Sequence, residues 1–399
     1  MIFAVLKFLF WIFLFVVFYT YIGYGIVLYT MVKIKHLFKK EKATHYEDGE
    51  LPEVTLLIAA YNEEDVVDEK MNNCITLLYP QSKLHIVWVT DGSNDRTNEF
   101  LGKWPQAKVI FTPERKGKTA ALNHAMQVIN TPITIFTDAN TMLNYDAVRV
   151  MVDALKDEKV GCIAGEKRIV QKLKDNASGS GEGLYWKYES MLKSLDSLLF
   201  SACGAAGELF AIRTELYQPM PEKTLLDDFM LSMRIVMKGY RIVYTPNAYA
   251  TENSSASMKE EEKRKIRIAA GGIDAVWKLR PLLNPFRYGI FTFQYISHRV
   301  LRWTLTPFFL FLLLPINLAL LFDEECQLFY AVILLFQIIF YALSALGYLM
   351  QKLQLKNKIV FVPYYFVFMN LNVIKGISYL YKQRNNKNGG AWEKAKRAS

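Results

Sequence analysis

The sequence predicts an α/β domain with a doubly wound parallel sheet, carried between apolar helices that cross a membrane. Three observations predict it. Residues 2 to 32 are apolar apart from Lys7, short apolar runs alternate with helix-like stretches from Val54 onward, and three more apolar blocks lie beyond Trp303. With 399 residues, 52% hydrophobic and 14% aromatic, the chain has material for one large soluble domain and several spans.

The first element, residues 1–32, exceeds the roughly 20 residues that cross a bilayer and the 7 to 15 apolar residues of a signal peptide. No small-residue cleavage site follows, so a retained transmembrane helix is expected. Residues 33–50 form a basic linker containing KIKHLFKKEK, Lys33 to Lys42. Beyond the soluble domain, spans are expected at 303–322 and 327–350. The acidic DEEC between them (Asp323 to Cys326) faces out and the basic QKLQLKNK after them faces the cytoplasm, by the positive-inside rule. The block 359–381 carries Pro363, Asn370 and Asn372 and reads as a short membrane or re-entrant segment: a re-entrant or interfacial element leaves the basic tail 382–399 inside, and a fourth span, the alternative, would export it. Residues 277–302 mix aromatics with Arg280, Arg287, Arg299 and Arg302, a composition suited to helices lying at the membrane surface. A multi-pass protein of the cell (inner) membrane with a cytoplasmic soluble domain follows.

The net charge of +10 gathers in these juxtamembrane segments, where anionic lipid explains it; no nucleic-acid motif accompanies it. Cys74, Cys162, Cys203 and Cys326 lie far apart, which suggests neither a zinc site nor a disulfide framework. The spans carry few ionisable groups beyond Lys7 and Lys375, which argues against a transporter.

In the soluble body, VTLLIAA, HIVWVTD, AKVIF and ITIFTD read as buried strands, with helices expected from about Glu63, from Asp95 and from Lys118. Doubly wound sheets place ligands beyond the carboxyl ends of their strands. Those ends read AYNEE (Ala60 to Glu64), TDGSNDRT (Thr90 to Thr97) and TDAN (Thr137 to Asn140), each with a carboxylate just past an apolar run. Acids in register across neighbouring strands suit hydroxyl-rich, metal-bound ligands, whereas Asp95 alone reads as a turn residue. The Gly117-Lys118-Thr119 triplet mimics the end of a P-loop, but Thr112 stands where the first glycine is needed and Pro113 removes a backbone donor.

The ordered set AAYNEE, VTDGSNDRT, RKGKTAALNHA, TDAN, LLDDFMLSMR and KRKIR, followed by membrane helices, resembles the family 2 glycosyltransferases. In layout it is similar to the membrane-bound poly-N-acetylglucosamine, hyaluronan and cellulose synthases. The resemblance implies a GT-A fold over 51–276 and a nucleotide-diphosphate sugar donor, usually UDP-linked. It implies that Ala60, Tyr61, Glu63 and Asp91 hold the uridine and ribose, that Lys118 lies near the diphosphate, and that Arg264 and Arg267 clamp it. Asp138 would bind donor and metal, Mg²⁺ or Mn²⁺, with Asn140 replacing the second acid of the family's Asp-x-Asp. Asp228 matches the catalytic base, and Asp227, Gly204 and Gly207 fall at the acceptor. A packing turn explains Gly204 to Gly207 equally well. The helix start at Asp227 and Asp228 is expected to lower the Asp228 pKa through the helix dipole.

An inverting, metal-dependent transfer is implied, with a growing polysaccharide or a lipid as acceptor. The departure at Asn140 leaves an inactive nucleotide-binding scaffold as the alternative from another class. Ile268 stands where the family has a tryptophan that stacks on the acceptor sugar. Restoring it by Ile268→Trp is expected to lengthen the products of a polymerase, since an aromatic face slows escape of the chain between additions. Mass analysis of products checks this; one fixed product mass from both proteins would exclude a polymerase.

Overall fold

The computed structural model describes residues 1–38, 45–170, 178–253, 257–353, 355 and 357–385. The chain forms two compact units. One comprises Met1–Met31, Gln171–Glu189 and Ser255–Lys382, the other Val32–Val170, Ser190–Ser254 and Gln383–Ser399. The basic tail 382–399 lies almost entirely outside the described residues.

The second unit is built on an eight-stranded sheet. Its strands are β1 (Val54–Ala60), β2 (Leu84–Asp91), β3 (Ala107–Thr112), β4 (Ile133–Asp138), β5 (Met142–Leu143), β6 (Val160–Val170), β7 (Leu209–Arg213) and β8 (Arg241–Asn253). They lie in the order β3-β2-β1-β4-β7-β6-β8-β5. The four strands expected from the sequence are present and pair in parallel, β1 with both β2 and β4. Every residue of β1 is buried, as a strand covered on both faces requires. Trp88 of β2 is wholly buried and its indole N–H donates to Met71 Sδ at 3.2 Å.

The chain leaves β1 for β2 and β3 on one side, then returns to β4 on the other. That reversal opens a crevice at the carboxyl ends of β1 and β4. The far half is mixed rather than parallel, because β7 runs antiparallel to both β4 and β6. The first helix begins at Val67, later than the expected Glu63. Asn62 has φ 54° and Glu63 N–H donates to Thr97 Oγ1, so residues 61–66 serve as a loop.

In the first unit, helix Gln327–Lys352 is long and apolar enough to cross a membrane, as is the helical stretch Ile2–Phe38, whose last residues belong to the second unit. The span expected at 303–322 takes another form. Leu305–Leu320 has 16 residues, about 24 Å and short of a hydrocarbon core of about 30 Å, and joins Ile290–Trp303 through a 54° bend.

The expected short element at 359–381 is instead one helix, Lys358–Asn385, whose stretch Ile359–Gln383 passes the same test of length and composition. Pro363 forfeits a single backbone bond near its start. Asn370 and Asn372 are buried at 1% exposure, and Asn370 accepts from the Tyr21 hydroxyl at 2.5 Å. The residues that argued against a long apolar helix are turned inward.

Arg299 and Arg302 also depart from the expected surface placement. Both pair with the buried Glu189, at 2.7 and 2.8 Å, beside His298 at 3.1 Å. A buried carboxylate must be compensated, and these cations do so. Lys7 pairs with Asp323 of the DEEC segment at 2.6 Å, which brings the single charge of the first helix to the turn before Gln327–Lys352.

Candidate active site

The crevice beyond β1 and β4 is assembled from four loops of the second unit. After β1, Tyr61 lies under the Arg115 guanidinium, whose carbon is 3.8 Å from the ring centroid. Asn62 and Asn94 exchange hydrogen bonds at 2.7 and 3.0 Å, lacing the β1 loop to the β2 loop. Asp95 is the turn residue that the sequence suggests: its carboxylate accepts from the Thr97 N–H at 3.0 Å, the Thr97 hydroxyl at 2.5 Å and the Glu64 N–H at 3.2 Å. Ala60 and Glu63 are both buried at this edge.

Asp91, at the end of β2, accepts from the backbone N–H groups of Lys116 and Gly117 at 2.8 and 2.7 Å. This clamp closes the Thr112 to Gly117 loop and starts helix Lys118–Met126 at a fixed place. Gly92 and Gly117 have φ of +63° and +97°, and a side chain at Gly92 would strike the Arg115 backbone at 2.8 Å. The sequence singled out Asp91 but not its loop partners, and it missed Arg115; Gly92 and Gly117, the glycines that follow β2 and end the loop after β3, were the available signal.

Lys118 then reaches the end of β4, where its Nζ donates to Asp138 Oδ1 at 2.6 Å. Burial pulls the lysine pKa down, but Asp138, Asp227 and Asp228 outweigh it and the ammonium is held above the usual lysine range. Asp138 begins a tight turn, closed by the Thr141 hydroxyl on the Asp138 carbonyl at 3.0 Å, with Asn140 between them. One carboxylate and one amide in a single turn form an all-oxygen donor set. That chemistry fits Mg²⁺ or Mn²⁺.

Helix Asp227–Met237 contributes Asp227 and Asp228 at its first turn. The Asp228 carboxylate accepts from the Phe229 N–H at 2.7 Å. Burial foremost, then the charge of Asp227, push its pKa up to about 7, against the pull of Lys118 and the Phe229 N–H. The depression expected from the helix dipole is therefore overturned: a desolvated carboxyl beside a second acid resists ionisation more than one helix terminus favours it.

The glycine-rich run preceding β7 separates into two functions. Gly204 has φ +94°, and a Cβ there would lie 2.3 Å from the Phe229 ring, so packing explains it. A Cβ at Gly207 would instead lie 3.2 Å from Asp228 Oδ2 and 3.5 Å from Lys118 Nζ. The missing side chain at Gly207 thus lets the Asp228 carboxylate and the Lys118 ammonium approach the backbone there. Ser232 pins this run by accepting from the Ala205 N–H at 3.0 Å. Arg264, Arg267 and Ile268 lie on helix Met258–Lys278 of the first unit, where Arg264 stands 3.7 Å from Glu261.

A model of the glycosyltransferase-like family 2 matches residues 52–271. The chain belongs to this family. Among curated relatives, this chain is 30% identical over 251 residues to a probable glycosyltransferase, YdaM, of Bacillus subtilis (strain 168), covering 57% of each chain. It is 27% identical over 259 residues to the poly-beta-1,6-N-acetyl-D-glucosamine synthase of Staphylococcus aureus (strain MSSA476), covering 62% of this chain and 61% of that one. The matches therefore span about three fifths of these relatives' length. Among solved structures, the mannosyltransferase PcManGT from Pyrobaculum calidifontis, in complex with GDP-Man and Mn²⁺, superposes with a TM-score of 0.68 at 21% identity, covering 94% of this chain and 99% of that one. The GT-A-like fold with flanking apolar helices is thereby shown.

The charge balance at Asp228 yields a prediction. If Asp228 serves as a base it must be ionised to act, and kcat/KM is then expected to rise as the pH passes through about 7. Asp227 raises the Asp228 pKa, so Asp227→Asn should move that acidic limb to lower pH. A pH–rate profile of both proteins checks the sign; an unmoved limb would show that the titrating group is not Asp228.

Proposed function

We propose that this glycosyltransferase is an inverting, metal-dependent enzyme that transfers sugar from a nucleoside-diphosphate sugar, with uridine the expected nucleoside, to a growing polysaccharide. The observation that carries the reading is the convergence of the Asp228 carboxylate and the Lys118 ammonium on Gly207, 3.2 and 3.5 Å from where a Cβ there would lie. A proton acceptor and a cation thus stand together beside one glycine.

In the proposed mechanism, the acceptor hydroxyl gives its proton to Asp228 as its oxygen attacks the anomeric carbon. The bond from that carbon to the diphosphate oxygen breaks, and the diphosphate departs with the electron pair from the opposite face, which inverts the configuration. Lys118 opposes the charge that develops on the leaving group, and its preorganised position costs no reorganisation during reaction. Arg264 and Arg267 would add bidentate contacts to the diphosphate. Ala60, Tyr61, Glu63 and Asp91 would hold the nucleoside and ribose, Asp91 through acceptor sites beyond the two that close its loop. Gly204, Gly207 and Asp227 would border the acceptor. Asp138 and Asn140 would hold Mg²⁺ or Mn²⁺, which when bound neutralises charge on the leaving diphosphate.

Similarity to the poly-beta-1,6-N-acetyl-D-glucosamine synthase supports a polysaccharide acceptor, and the structural neighbour's Mn²⁺ supports the metal. Because that neighbour holds GDP-Man, guanosine is the second nucleoside to test. Ile268, in place of a stacking tryptophan, favours a second reading in which a lipid receives a single sugar. The charge asymmetry of the apolar segments supports a cytoplasmic catalytic domain at the cell membrane, and Lys7 paired with Asp323 is consistent with both lying at the outer surface.

Asp228→Asn keeps size and capping ability and removes the base. Sugar transfer is expected to fall roughly 10²- to 10⁴-fold while nucleoside-diphosphate binding survives. Transfer rates with UDP- and GDP-sugars, measured beside UDP and GDP affinity, check this. Near wild-type transfer by the variant would place the base elsewhere.

A further inference from the structure

Lys70 sits on helix Val67–Ile75 and is wholly buried, with 0% exposure. Among the described residues no carboxylate lies within ion-pair distance of it. An ammonium in such a place is costly: burial lowers its pKa to about 8, and a methionine would fill the same space without that penalty. Its contacts say what the charge is used for. Nζ donates to the Thr141 carbonyl at 2.6 Å and to the Thr137 hydroxyl at 3.1 Å, the residues on either side of the Asp138-Ala139-Asn140 turn. Thr137 in turn donates to the Glu208 carbonyl at 3.0 Å, next to Gly207. Thr141 donates its hydroxyl to the Asp138 carbonyl at 3.0 Å. One buried cation therefore grips both ends of the turn that presents Asp138 and Asn140, and through Thr137 it also reaches the backbone beside Gly207.

We infer that Lys70 is a positioning residue that fixes the Asp138–Asn140 turn, and with it the oxygen donors facing the metal and diphosphate, an inference that rests on the functional reading of that turn given above. Lys70 touches no substrate. It acts through Thr137 and Thr141, as outer partners orient the ligands of a metal, and loss of such a partner typically costs about 10- to 100-fold in affinity.

The test uses the full chain in detergent with Lys70→Met, Thr137→Val and Thr137→Ser. Two quantities are read: hydrogen exchange of the segment 137–143 in the unliganded protein, and the gain in UDP and GDP affinity on adding Mn²⁺. In Lys70→Met, exchange in 137–143 is expected to quicken at least about tenfold while β1 is unchanged, and the Mn²⁺-dependent gain to shrink about 10- to 100-fold. Thr137→Val should reproduce both effects and Thr137→Ser should restore the wild-type values, so this pair decides the matter if Lys70→Met fails to fold. Wild-type exchange in 137–143, an unchanged Mn²⁺-dependent gain, or exchange quickened equally across the sheet would overturn the inference, the last because Lys70 would then be only a core residue. If the wild-type protein binds neither nucleotide with Mn²⁺, the functional reading fails, and the exchange arm alone still decides whether Lys70 holds the turn.

Discussion

The ion pair between Lys118 and Asp138 is the interaction on which the rest of the site depends. It joins the start of a helix to the end of a central strand at 2.6 Å, with both side chains only partly exposed. Asp138, Asp227 and Asp228 would otherwise concentrate negative charge in one crevice. Lys118 offsets that charge and at the same time restrains the rise of the Asp228 pKa. Its position is set at a distance by Asp91, which holds the N–H groups just before it. The resemblance of Gly117-Lys118-Thr119 to a P-loop thus has a physical core: a lysine at a helix N-terminus, delivered by an aspartate clamp rather than by a glycine-rich loop.

The sheet makes this arrangement possible. Because β1 lies between β2 and β4, the loops after all three strands open at one edge, and β7 brings Gly207 to the same edge from the opposite direction. The polar contacts there tie the loops to one another, Asn62 with Asn94 and Asp95 with Glu64, and to the helix after β1, Lys70 with Thr141, so that the crevice is shaped before any ligand enters. Preorganisation of this kind is what electrostatic stabilisation of a leaving group requires.

Much of this was legible in the sequence, because local pattern suffices for it. Continuous apolar runs marked β1 to β4, and the acids past their ends marked the crevice. What was not legible depends on partners distant in the chain. Nothing near Lys70 announces that its ammonium meets Thr141, and Arg299 and Arg302 have the composition of surface residues until Glu189 is placed against them. The Asp228 pKa failed for a related reason: the helix start is visible in sequence, whereas burial by the fold is not, and burial is the larger effect. The last apolar helix was underestimated because Asn370 and Asn372 look costly in a membrane until their side chains are seen to be buried within the protein.

The central claim is a single displacement, with Asp228 as base and Lys118 opposing the leaving diphosphate. A single displacement inverts the anomeric centre, whereas a double displacement through a covalent sugar intermediate would retain it. The most direct measurement is the anomeric configuration of the first linkage formed, read by proton NMR on product made from an α-linked nucleoside-diphosphate sugar that supports turnover. A β linkage is expected. An α linkage would contradict the central claim, because the acceptor oxygen would then not have displaced the diphosphate from the opposite face.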